Sequence, residues 1–208
     1  MSNPSPAGAP PVFAAGRSEP WTYESLAAVD RETLEQVILT GTAPDFSQTE
    51  GYIYCGWNHE WVSVLSGRKF KKGFRQKDGG WFGYNHIVIQ DDKGYEGEWK
   101  LKMNDGDKPR QLGFFHVGQI ADEPPEKLYQ PYQHAGTLNY SVSENTWLNL
   151  PFRVIRDIVV LPNPGDHELI LCKAYFQLGF KFLNLFYCYF LLGHREPIGF
   201  EPSWADER

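Results

Sequence analysis

The residues able to do chemistry are sparse, and the most unusual are a charged pair inside an apolar run. Residues 152–161 read FRVIRDIVVL. Side chains alternate faces along an extended chain, so Arg156 or Asp157 must share the inward face with isoleucine and valine. An inward arginine requires a partner, and its planar fork suits a bidentate carboxylate. Arg156 facing inward would anchor the carboxylate of a ligand, with Tyr140 or Tyr175 as a hydroxyl donor. The plainer reading is an Arg156–Asp157 pair at a rim or on the outside.

Histidines stand at 59, 86, 116, 134, 167 and 194. His86 alternates with Phe82, Tyr84 and Val88, and His116 with Leu112, Phe114 and Ile120. Two inward histidines on nearby strands would hold a metal or haem iron. No HExxH or other ligand-spaced pair accompanies them, so no metal, haem or other cofactor is expected. A hydrogen-bonded histidine in the core or on the surface is the plainer reading of each. Tyr84, His86, His116 and Asp157 stand as acid–base candidates for a cofactor-independent isomerase or cyclase. Cys55 and His59 are four apart, but one falls on a predicted strand and the other just past it, which makes a poor dyad. The chain has no G-x-S-x-G, no Walker loop and no G-x-G-x-x-G opening a helix.

The stretch 67–77, GRKFKKGFRQK, sets six cations around Phe70 and Phe74. Such a field draws anionic ligands or an anionic membrane surface, and Arg68, Lys69, Lys71 and Lys72 are the expected contacts. The plainer reading is a solvated edge strand protected by lysines.

These residues need a frame, and the composition constrains it. The 208 residues are 41% hydrophobic and 22% charged, ordinary globular usage. Aromatics reach 15%, a heavy load of strand-favouring side chains. A net charge of -6 disfavours nucleic acid as a partner. Three cysteines without metal spacing predict neither a disulfide scaffold nor a zinc cluster, and suggest a reducing, cytoplasmic setting. Residues 1–20 are proline- and alanine-rich and read as a disordered arm. A barrel domain is expected over 21–196 and a tail over 197–208, with Trp204 able to dock on the body. The apolar run 182–192 is too short for a membrane-spanning helix.

Thr22 and Ser25 predict a first helical turn. Asp30 caps a second helix with Leu34, Val37 and Ile38 on one stripe and Gly41 as its stop. From Gly51 onward, period-two alternation predicts strands over 51–57, 69–76, 81–90, 95–103, 111–120, 137–142, 152–161, 168–180 and 182–193. Asp78-Gly79-Gly80 and similar clusters supply the reversals. The cleanest alternation is 95–103, with Tyr95, Trp99, Leu101 and Met103 on one face. Residues 59–66 read as a short helix. On 168–180, Lys173, Gln177 and Lys181 take the outer side, leaving Cys172, Ala174, Phe176, Leu178 and Phe180 inside. The fold class is mainly β: a single antiparallel up-and-down barrel of about 8–10 strands with short N-terminal helices, closed so that its edges are hidden. A two-sheet sandwich is the structural alternative.

This order of helix, strand, short helix and long antiparallel meander resembles the calycins, which include lipocalins, fatty-acid-binding proteins and nitrobindin-type barrels. Gly56-Trp57 and Gly80-Trp81 loosely echo the early lipocalin Gly-x-Trp, without its spacer residue. The resemblance implies a barrel interior that holds a small hydrophobic or amphipathic molecule, an anionic lipid-like one included. The expected lining is Trp81, Tyr84, Trp99, Phe114, His116, Tyr140, Arg156, Tyr175 and Phe176. The rival readings are the cofactor-independent enzyme and a protein-interaction module with a filled barrel. Most other aromatics, Trp57, Trp61, Phe115, Phe186, Tyr187 and Tyr189 among them, are expected in the core.

Overall fold

The computed structural model describes residues 12–60, 67–104, 107–125, 127–178, 181–200 and 202–203; for 147–150, 177–178 and 181–187 it describes the backbone. The helix expected over 59–66 lies outside the described residues beyond Glu60. So do Trp61, Phe180, Trp204 and the first eleven residues, and the side chains of Leu178, Phe186 and Tyr187.

Capping residues start both helices where the sequence placed them. Thr22 and Ser25 form a reciprocal capping box at the head of α1, Tyr23–Ala28. Asp30 accepts from the Thr33 amide at the head of α2, Arg31–Thr40, and Gly41 ends it. Leu26, Leu34, Val37 and Ile38 are fully buried. They pack on Ile158, Val160, Leu171 and Leu191, which the barrel wall presents outward.

Eight antiparallel strands close that wall in sequence order: β1 Tyr52–Asn58, β2 Lys69–Lys77, β3 Gly80–Ile87, β4 Gln111–Gln119, β5 Gly136–Asn139, β6 Ile155–Val160, β7 Ile170–Leu178 and β8 Lys181–Pro197. The first and last strands pair, with Trp57 opposite Leu191, so no edge remains to be protected. The β2–β3 reversal has Asp78 at φ 51° and Gly79 at φ 82°, the left-handed geometry that a tight hairpin requires.

The predicted strand over 95–103 is not a barrel strand. After β3 the chain leaves the wall; among the described residues Leu101 and Met103 make isolated bridges, to Val88 and Pro109, and Lys100 and Lys102 share backbone hydrogen bonds with Ile89, Ile87 and Arg110. The alternation records packing instead. Trp99 donates from Nε1 to the Gly56 carbonyl at 2.9 Å, and Tyr95 meets Trp57 edge-on at 6.2 Å. Tyr95 and Trp99 thus cover the outside of β1 and β2, while Met103 at the far end of the same face is exposed. Period two shows that one side of an extended segment is dry, but not that the segment is a strand of the barrel.

The ends also differ from expectation. The described part of the arm is tied down: Ala14 donates to the Pro162 carbonyl at 3.0 Å, and Trp21 Nε1 to the Ala14 carbonyl at 2.9 Å. At the far end, Ile198 donates to the Gly51 carbonyl at 2.9 Å and Tyr84 from its hydroxyl to the Phe200 carbonyl at 3.3 Å, so the tail's first residues lie along the outer wall.

Inside, one half of the barrel is solid. Tyr54, Phe74, Phe115, Val117, Leu138, Leu161, Ile170 and Leu192 fill it, with Phe46 packed against them. Gly83 admits the Phe115 ring, since a Cβ there would lie 2.2 Å from it. The other half is hollow.

Candidate functional site

The hollow half contains a cavity of ≈ 280 Å³. Its walls come from the ends of β1, β3 and β7, the starts of β2, β4 and β6, part of β8, and the 3-10 turn Trp147–Val154. Phe70, Phe152, Ile155, Phe176 and Phe190 make the wall mostly apolar.

Three polar side chains meet within that wall. Lys72 on β2 donates from Nζ to the Tyr140 hydroxyl at 2.5 Å, and Tyr140 donates to Asp157 Oδ2 at 3.0 Å. Lys72 Nζ lies 3.9 Å from the same carboxylate oxygen, and both charged side chains are 1% exposed. The ammonium sits 4.4 Å from the centre of the Phe115 ring and 5.2 Å from that of Phe190, so aromatic faces replace part of its hydration. Asp157 Oδ1 has no hydrogen-bond partner among the described residues. Asn85 reaches the cavity from β3 and is held by the Gly113 carbonyl at 2.8 Å.

Burial governs the electrostatics. It pushes Lys72 down to about 8, against the upward pull of Asp157. It pushes Asp157 up to about 6, against the pull of Lys72 and the Tyr140 hydrogen bond. Burial and the neighbouring carboxylate hold the Tyr140 phenol well above its ordinary range. Near neutral pH the cluster is therefore a buried cation and anion with no net charge, linked through a neutral phenol.

The expected site residues scatter over both faces of the wall. Tyr140, Phe176 and Asp157 line the cavity, and His86 borders it. His86 is buried, which pushes it down to about 4 and keeps it neutral. Trp81 turns inward but packs against the filled half. Tyr84 and Phe114 point outward into a small cluster with Phe82 and Ile198. His116 is also outside, edge-on to Phe82 at 5.2 Å. Trp99 covers the outside of β1 and β2, as described above.

Arg156 faces outward, donating to the Arg153 and Ile155 carbonyls at 3.0 and 2.7 Å, so it is Asp157 that shares the inward face with valine. Tyr175 is outside as well, 3.1 Å from the Tyr132 hydroxyl. There Glu35 of α2 accepts from Lys173 at 2.6 Å and Tyr132 at 2.7 Å, pinning the helix to the wall. Cys172, Ala174 and Phe176 do face inward and Lys173 outward.

The basic stretch is not a solvated edge. Lys69 pairs with Asp91 at 2.6 Å, Lys71 with Glu196, and Lys72 with Asp157 inside the barrel. All three lysines are buried, and Arg68 lies over the Trp57 ring at 4.3 Å. Lys72 is the residue that sequence reasoning misplaced. Its signal was present: Phe70, Lys72 and Phe74 occupy alternate positions, so two aromatics mark its face as the inner one.

Among the described residues, no helix is long and apolar enough to cross a membrane, and no group of three or more His, Cys, Asp or Glu is placed to hold a metal. Comparison with protein-family models, with curated proteins and with solved structures finds no match. What fold and site define is a closed eight-stranded antiparallel barrel, half filled and half hollow, with a charge-neutral polar cluster in the hollow half.

Proposed function

We propose that the barrel binds a small, neutral, mostly apolar molecule that carries one hydroxyl or amide group. Size supports this. Benzene fills a cavity of ~150 Å³, so ≈ 280 Å³ corresponds to ~11 non-hydrogen atoms, far short of a long-chain lipid. Charge supports it too. A carboxylate or ammonium ligand would add an uncompensated charge to a buried cluster that already balances, whereas a neutral group adds none. The carrying observation is Asp157 Oδ1, a buried acceptor on the cavity wall with no partner among the described residues. Among the described residues Lys72 donates to the Tyr140 hydroxyl, and an ammonium has three hydrogens, which leaves hydrogens to offer to an acceptor. A hydroxyl or amide both donates and accepts, and so answers both groups. The likeness to calycin barrels is in keeping with an interior guest, and the three free thiols with a reducing, cytoplasmic compartment.

Calorimetric titration with benzyl alcohol, benzamide, benzoate and benzylamine tests the reading. The two neutral probes should bind at least ~10-fold tighter than the charged ones, a difference of about 1.4 kcal/mol. Ala174→Phe, which fills the cavity from β7, should abolish binding while the fold persists. Equal or tighter binding of benzoate, or no binding of any probe, refutes the proposal.

A further inference from the structure

We propose that Lys72 is a covalent amine, which forms an imine with a small neutral aldehyde or ketone held in the cavity. This rests on the reading above that the cavity takes a small, neutral, mostly apolar molecule, and goes beyond it by assigning a reaction to one that carries a carbonyl. The geometry carries it. Lys72 reaches the cavity from β2 with its Nζ 2.5 Å from a phenol that is itself 3.0 Å from a carboxyl group. The surroundings are aromatic, with the Phe115, Phe190 and Phe70 ring centres 4.4, 5.2 and 5.6 Å from Nζ. Surface lysines are fully hydrated ammonium ions at neutral pH and attack carbonyls poorly. A lysine in an apolar pocket holds its proton less tightly and is the usual form of an amine nucleophile. The displacement of Lys72 down to about 8 agrees.

The proton inventory closes within the cluster. Passing one proton from Lys72 through Tyr140 to Asp157 leaves a neutral amine and a neutral carboxylic acid. The Nζ lone pair forms the C–N bond as the carbonyl π electrons move to oxygen. That oxygen takes a proton from Tyr140, which recovers one from Asp157. Nitrogen's surplus proton then moves to the departing oxygen, the C–O bond breaks, and water leaves. The products are a protonated imine on Lys72, a carboxylate on Asp157 and one water. The amine, the carbonyl and the acid's proton account for every atom, and no oxidant or reductant takes part. The buried cation–anion pair is restored, so the site is electrically neutral before and after the step. Asp157, 3.9 Å from Lys72 Nζ, is then the counter-ion of the imine.

The test uses the full chain with benzaldehyde and sodium cyanoborohydride near pH 7, followed by peptide mapping. One benzyl group should appear on Lys72 at least ~10-fold faster than on any other lysine, and excess benzyl alcohol should protect it. Tyr140→Phe, compared with the parent at equal occupancy of the cavity by benzaldehyde, should slow trapping at least ~10-fold, because the relay is cut. Benzyl groups spread over surface lysines with Lys72 unmodified, in protein that still binds benzyl alcohol, overturn the covalent inference and leave the binding reading standing. Protein that binds neither probe overturns both.

Discussion

Replacing both charges of the buried cluster, Lys72→Met with Asp157→Leu, should leave the barrel at least as stable as the parent at neutral pH. Folding moves the Asp157 carboxyl from 3.8 to about 6. At about 1.4 kcal/mol per unit, this costs the fold roughly 3 kcal/mol once the group is ionised. Because the folded value is raised, the group's contribution to stability is fully present below about 3.8 and is lost as pH rises to about 6. Lys72 is lowered from 10.5 to about 8, so its contribution is present above 10.5 and is lost as pH falls to about 8. Between about 6 and 8 both charges are buried and both losses stand, mutual attraction included. Apolar residues of similar volume remove both, an exchange that ranges from neutral to ~1–4 kcal/mol stabilising. The single Lys72→Met variant differs, since it leaves Asp157 without its cation. It should lose ~3 kcal/mol at about pH 8 and less at about pH 5, where the carboxyl takes a proton. Urea denaturation followed by tryptophan fluorescence, run on parent, single and double variants at acid, neutral and alkaline pH, measures this. A double variant clearly less stable than the parent at neutral pH would show that attraction outweighs burial, and would refute the reasoning.

Three further outcomes follow from particular contacts. Gly83→Ala places a Cβ 2.2 Å from the Phe115 ring and 2.6 Å from the Gly73 carbonyl oxygen. It should cost ~3 kcal/mol or more, read as a lowered thermal midpoint. Glu35→Gln weakens the bonds that pin α2 to β7 and β8, and should cost ~2 kcal/mol by chemical denaturation. Burial opposes it, but hydrogen bonds from Lys173, Tyr189 and Tyr132 hold the Glu35 carboxyl below 4.5, so its contribution is present above that pH and fades below it. The parent should therefore lose more stability than Glu35→Gln as pH falls. Finally, burial pushes the thiols of Cys55 and Cys188 up to about 11 and about 12, and Cys172 well above its ordinary value. All three should react with a disulfide reagent at mildly alkaline pH only after denaturant is added, and fast labelling of the native protein would contradict this.

Much of the frame is determined by the sequence itself, because its signals are local. Asp30 and Gly41 bound α2 by capping chemistry that involves near neighbours only. Asp78-Gly79 turns β2 into β3 because left-handed backbone is cheap there. Alternating aromatics mark dry faces, and enough strands with dry faces must close to hide their edges. Tertiary structure alone decided which dry face meets which void. The alternation at 95–103 is as regular as any in the chain, yet it covers the barrel from outside, because no local signal distinguishes a covering segment from a ladder strand. Tyr84, Phe114 and Tyr175 look no different from Tyr140 and Phe176, but register places the first three outside the wall and the last two on the cavity. A one-residue step reverses every face, and it also separates outward Arg156 from inward Asp157. The meeting of Lys72, Tyr140 and Asp157 spans 68 residues from the first to the second. Barrel closure brings them together, and no spacing along the chain foretells it.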